Sequence, residues 1–130
     1  MESIILSSDL KWLEEYIETI AHTIPNLSKL KRVTSIHGKK NQKRSCQAQI
    51  WSYKNGTYRI SLYVSFYKED KQEHYSTIDL LCNLAHELAH MQHWTHSPEH
   101  KILECTLILM FMSKLKTLPY INEETEMGAI

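Results

Sequence analysis

Apolar residues recur at helical spacing over Leu10, Leu13, Ile17, Ile20, Ala21 and Ile24, which predicts a first helix capped by Ser8 or Asp9 and ended by Pro25 and Asn26. The pattern then changes to strands, about Leu30 to His37, Ser45 to Tyr53 and Tyr58 to Phe66. Gly38 to Arg44 reads as the polar, basic tip of a hairpin joining the first two. Asn55-Gly56 signals a two-residue type I′ turn between the second and third. That turn sets Tyr53 opposite Tyr58, Trp51 opposite Ile60 and Gln49 opposite Leu62. One face then gathers Trp51, Tyr53, Tyr58, Ile60, Leu62 and Val64 and packs on helices, leaving Ser52, Arg59, Ser61 and Ser65 on the other. The alternative use of an aromatic face is base stacking on nucleic acid.

Lys68 to His74 reads as a polar link. Ser76 with Asp79 forms a capping box for a second helix, whose buried stripe is Ile78, Leu81, Ala85, Leu88 and Ala89 and whose other side carries Asn83, His86, His90 and His93. Ser97-Pro98-Glu99 starts a third helix. From Ile102 to Met112 it is apolar apart from Glu104 and Thr106. That predicts a central helix buried on most sides, since eleven residues rise only about 16 Å and cannot span a bilayer. Pro119 stops the pattern. The expectation is one α+β domain over residues 1–121, ordered as helix, three-stranded antiparallel or mixed sheet and two helices, followed by an acidic tail at 122–130.

Composition narrows the setting. With 130 residues, 42% apolar and 23% charged, the chain fits a single soluble domain. It shows neither a signal peptide nor a membrane span, so a cytoplasmic (or nuclear) monomer with no membrane partner is expected. Cys46, Cys82 and Cys105 are dispersed and odd in number, which argues against disulfides and leaves any metal to histidine and carboxylate. Formal net charge is zero, yet Lys29 to Arg59 contains nine basic residues and no Asp or Glu. Lys31, Arg32, Lys39, Lys40, Lys43, Arg44 and Arg59 are therefore candidate phosphate contacts, the bland alternative being a solvated hairpin.

The chemistry concentrates in His86-Glu87-Leu88-Ala89-His90. Residues four apart share a helix face, so His86 and His90 can grip one zinc ion, while Glu87 leaves at an adjacent angle suited to a general base. Catalytic zinc takes a third protein ligand. His96 is the first choice, because it lies where the helix must end and the chain turn back. Glu104, His100 and His93 are the alternatives as ligand or as supporting residues. Glu104 stands out as a carboxylate in an oily helix that demands a partner.

These residues, with His96-Ser97-Pro98-Glu99 following, resemble the SprT-like metalloprotease domains. That group includes the Spartan-type DNA-protein crosslink proteases and the shorter WLM and YgjP-like zinc peptidases. The likeness covers residues 76 to about 112 by motif and the preceding elements only by order. It implies a zincin-like fold, one Zn2+, His86, His90 and His96 as ligands and Glu87 as base. His100 stands where the family pattern has an aromatic residue, which leaves its role open. The resemblance and the basic segment together predict a zinc-dependent endopeptidase acting on a protein or peptide substrate, including proteins held on or crosslinked to DNA. The alternatives are a cytosolic peptidase that cleaves a specific regulator, a catalytically weak zinc-containing nucleic-acid-binding module, and a hydrolase of a small amide. Tyr63, Tyr67 and Tyr120 are candidates for stabilising an oxyanion.

Overall fold

A computed structural model describes residues 4–40 and 47–117. Five strands, β1 (Ile5–Leu6), β2 (Leu30–His37), β3 (Ala48–Ser52), β4 (Tyr58–Lys68) and β5 (Lys71–His74), combine with three helices, α1 (Leu13–Thr19), α2 (Thr77–Ala89) and α3 (Pro98–Thr117). The sheet is mixed, in the order β1-β2-β4-β3, with β5 also paired to β4. This agrees with the expected α+β class and mixed sheet, but the sheet has five strands where three were expected, because Ile5–Leu6 adds an edge strand ahead of α1 and Lys71–His74 pairs back on β4. Lys43, Arg44, Cys46, Pro119, Tyr120 and the 122–130 tail lie outside the described residues.

The hairpin expected between β2 and β3 does not form. β4 lies between them, parallel to β2 and antiparallel to β3. The chain after β2 therefore has to cross the far end of β4. Gly38 lies close against β4 as the chain leaves β2: its N–H donates to the Ser65 carbonyl, and a Cβ there would sit 2.8 Å from that oxygen and 3.0 Å from the Phe66 Cα.

The β3–β4 register is also one residue away from the expected one. Ile50 faces Ile60 and Trp51 faces Arg59. The cause is the loop: the Gly56 N–H bonds the Tyr53 carbonyl, Gly56 takes φ +84°, and the Tyr53 N–H bonds the Thr57 carbonyl. Lys54, Asn55 and Gly56 thus form a three-residue loop ending in a left-handed residue, not the two-residue turn that Asn-Gly favours. One residue of slip exchanges the faces. Ile50 joins Ile60 and Leu62 against the core, whereas Trp51, 42% exposed, and Tyr53 point away from it. Two consecutive positive φ values, the mark of a type I′ turn, occur instead at Glu69 and Asp70, where Lys68 pairs with Lys71 and the expected polar link becomes β5.

All the helices serve one face of the sheet. Leu10, Leu13, Ile17, Ile20 and Ile24 are buried as their spacing implies, but α1 is only seven residues long, is preceded by a 3-10 turn at Ser8–Leu10, and has no side-chain cap. The α2 cap is the expected one, with Ser76 Oγ accepting from the Asp79 N–H at 3.1 Å. Leu81, Ala85, Leu88 and Ala89 are buried, joined by Leu80 and Leu84, while Ile78 is 50% exposed and leaves the stripe. Ser97 caps α3 through the His100 N–H. That helix is not buried on most sides: Leu107 and Phe111 enter the core, but Ile102 and Leu109 are 67% and 70% exposed. A sheet with helices on one side has room for only one buried stripe on α3. Among the described residues no helix is long and apolar enough to cross a membrane.

Candidate metal centre

The end of α2 and the start of α3 meet at a corner lined with imidazoles. His86 and His90 share one face of α2, and the chain turns at His90, whose N–H bonds the Glu87 carbonyl. The turn carries His96 back over that face, and Ser97 then sends α3 across it with His100 and Glu104 facing α2. The ring centroids of His86, His90 and His96 are 4.8 to 5.1 Å apart, and the Nε2 atoms of His86 and His96 are separated by 3.2 Å. Nitrogens bound 2.0–2.1 Å from one tetrahedral zinc are about 3.4 Å from one another, and their rings about 5 Å. The three side chains fit that donor set.

Two of the three rings have a partner for their other nitrogen. His86 Nδ1 lies 3.1 Å from Glu104 Oε1, and His90 Nδ1 lies 3.1 Å from the His93 carbonyl oxygen. Both partners are acceptors, so both rings carry the proton on Nδ1 and leave Nε2 with its lone pair. His93 thus contributes through its backbone. Its side chain lines a different cavity, beside Pro25, Gln92 and Leu103.

His86, His90 and His100 form a second possible trio, with ligand atoms within 4.8 Å of one another. His100 is nonetheless committed elsewhere. Its Nε2 donates to the His86 carbonyl at 3.0 Å, its Nδ1 faces Glu104 at 3.8 Å, and its ring stacks on His90 at 4.1 Å, closer than two rings sharing one ion would stand. Burial lowers the pKa of both His90 and His100, which favours the neutral imidazole.

Glu87 is buried beside the cluster. Its pKa is raised, first by desolvation; His86 opposes the shift and Glu104 adds to it. It opens onto a cavity of about 350 Å³ with Gln47, Ala48, Cys82, Asn83, His86 and Glu104. A larger cavity of about 540 Å³, between the first strand and α1, holds no histidine cluster, so chemistry and not size singles out the smaller one.

A scan against protein-family models, a search of the curated proteins and a search of the solved structures each found no match to this chain.

Asn83 was not singled out from the sequence beyond its place on the histidine side of α2. Its Nδ2 is buried in the same cavity with no hydrogen-bond partner among the described residues. Its spacing, three and four residues before His86 and Glu87, was the available signal. Tyr63 lies on the sheet face away from the helices, two residues from Ser61 in the alternating pattern, and so does not reach the cleft as an oxyanion donor.

The expected basic patch is divided. Lys31 and Arg32 are exposed near the start of β2, and Arg59 is the β4 neighbour of Arg32. Lys39 and Lys40 follow the opposite end of β2, at least about 16 Å from Arg32 at the rise of an extended strand. The physical reason is that strand direction, not sequence proximity, sets where a charge emerges.

Proposed function

We propose that this protein is a metal-dependent peptidase, with His86, His90 and His96 holding a zinc ion and Glu87 serving as general base. The observation that carries this reading is the convergence of three imidazoles, two with their Nδ1 groups tied to acceptors, beside a buried glutamate that opens onto a cleft. Zinc in such a site supplies Lewis acidity toward a carbonyl oxygen and acidifies a water molecule. Glu87 takes the proton from the attacking water and passes it to the departing amine nitrogen. Glu104 orients His86, and His100 spans from Glu104 to the backbone of α2, holding the two helices at the corner.

An extended peptide suits the cleft. β3 is at the edge of the sheet, and Gln47 and Ala48 at its start line the cavity together with Asn83 and Glu87. A peptide strand laid along β3 would gain main-chain hydrogen bonds and bring a carbonyl to the wall formed by Asn83, His86 and Glu87. The motif's resemblance to SprT-like proteases points the same way.

The test is zinc content by mass spectrometry alongside cleavage of a quenched fluorogenic peptide library. Wild type should hold one zinc per chain and cleave, and Glu87→Gln should hold zinc and not cleave. His96→Ala should lose zinc. Unchanged cleavage by Glu87→Gln would end the proposal, and unchanged zinc content in His96→Ala would move the third ligand to His100.

A further inference from the structure

The open face of the sheet presents a second chemistry. Helices cover the side bearing Val33, Ile60 and Leu62. On the opposite side the strand registers align Ile5, Arg32, Arg59 and Trp51 in one row across four strands. The next row is Thr34, Ser61 and Gln49, with Thr34 Oγ1 and Ser61 Oγ 3.3 Å apart. Neither row contains a carboxylate.

Two arginines on neighbouring strands, about 4.8 Å apart across the ladder, repel one another, and no acid in either row offsets them. An anion between them would. Arg59 Nε is buried with no hydrogen-bond partner among the described residues, while its guanidinium carbon lies 5.2 Å from the Trp51 ring centroid. The cation–π contact holds the indole in place and leaves it 42% exposed. Tyr53, also exposed, follows two residues along.

We propose that this face binds single-stranded nucleic acid, with a base stacking on Trp51 and the adjoining phosphates held by Arg32 and Arg59. Planar guanidinium groups match phosphate oxygens in pairs, and a base offers the flat surface that an indole stacks on. A carboxylate-rich peptide would satisfy the arginines and leave the indole without a role. The face is separate from the histidine corner, so the proposal stands or falls independently of the peptidase reading.

The experiment is fluorescence anisotropy of the full chain with labelled dT20 and rU20, across a series of salt concentrations. Wild type should bind both, and Glu87→Gln should bind equally well. Trp51→Ala should weaken binding about tenfold, with Trp51→Phe restoring most of it. Arg32→Ala/Arg59→Ala should flatten the salt dependence by about 1.4 in log–log slope, two phosphates at about 0.7 each. Trp51 and Arg32 are exposed and Arg59 is half-buried, and an unchanged thermal midpoint in each variant verifies folding. No binding of dT20 or rU20 at low salt overturns the proposal. So does unchanged affinity in Trp51→Ala, loss only in Lys39→Ala/Lys40→Ala, or a preference for phosphatidylserine vesicles over either oligonucleotide.

Discussion

Removing the Glu104 carboxylate tests how the corner is built. Glu104 Oε1 accepts from His86 Nδ1 at 3.1 Å, and the Glu104 side chain is only 15% exposed. A hydrogen bond to a charged group in that setting contributes about 1.5–3 kcal/mol. Glu104→Ala frees the His86 ring to rotate and to exchange its tautomer, so the bond's contribution is withdrawn from the orientation that leaves Nε2 available. The expected loss of zinc affinity is about 10- to 100-fold, the range found when a carboxylate supporting a ligand histidine is removed. Glu104→Gln keeps an acceptor without the charge and should lose less. The assay is competition with a chromogenic chelator, read as a ratio of Kd values, with one zinc per chain still bound at saturation. Unchanged affinity in Glu104→Ala would refute the orienting role. Failure to bind zinc at any concentration would show that the carboxylate is itself a ligand.

Three further outcomes follow from the fold. Gly38→Ala should lower stability by about 1–3 kcal/mol in urea titration, because the added Cβ meets backbone on β4 that cannot give way; an unchanged midpoint would mean the contact is looser than described. Ser76→Ala should cost about 0.5–2 kcal/mol through loss of the bond to the Asp79 N–H, and a smaller effect would mean that water caps α2 equally well. Desolvation, and then Asp79 and Glu104, raise the pKa of the Cys82 thiol. Its thiolate is therefore scarcer at pH 8 than that of an ordinary cysteine, and the fraction keeps growing as pH rises through the raised value. Alkylation followed by peptide mapping should find Cys82 slower than exposed Cys105 at pH 8 and still accelerating above pH 9. Equal rates at both pH values would contradict the half-buried setting of the thiol.

The helical half of the molecule was legible because its signals are local. Ser76 and Ser97 declare their caps within three residues, and His86, Glu87 and His90 are related by a single helical turn. His96 could be placed from the same stretch, since a helix that must stop before Ser97 returns the chain to where it came from. The sheet was less legible because strand order is a property of distant segments. Nothing in β2 or β3 announces that β4 will lie between them. Asn55-Gly56 supports both a two-residue and a three-residue loop, and the choice between them decides whether Trp51 or Ile50 meets the core. Ile102 and Leu109 misled for the opposite reason: an almost continuous apolar run has no periodicity to show which side stays in water.

The position of β4 also imposes an order of events on the folding chain. β3 and β4 are joined by a short loop and can zip together with little loss of chain entropy, whereas β2 waits for a partner whose paired residues lie about 27 to 28 positions downstream. The slow step of folding should therefore be the arrival of β2 at the free flank of a hairpin already made. The nucleus would be the middle of the chain, with the N-terminal third recruited afterwards.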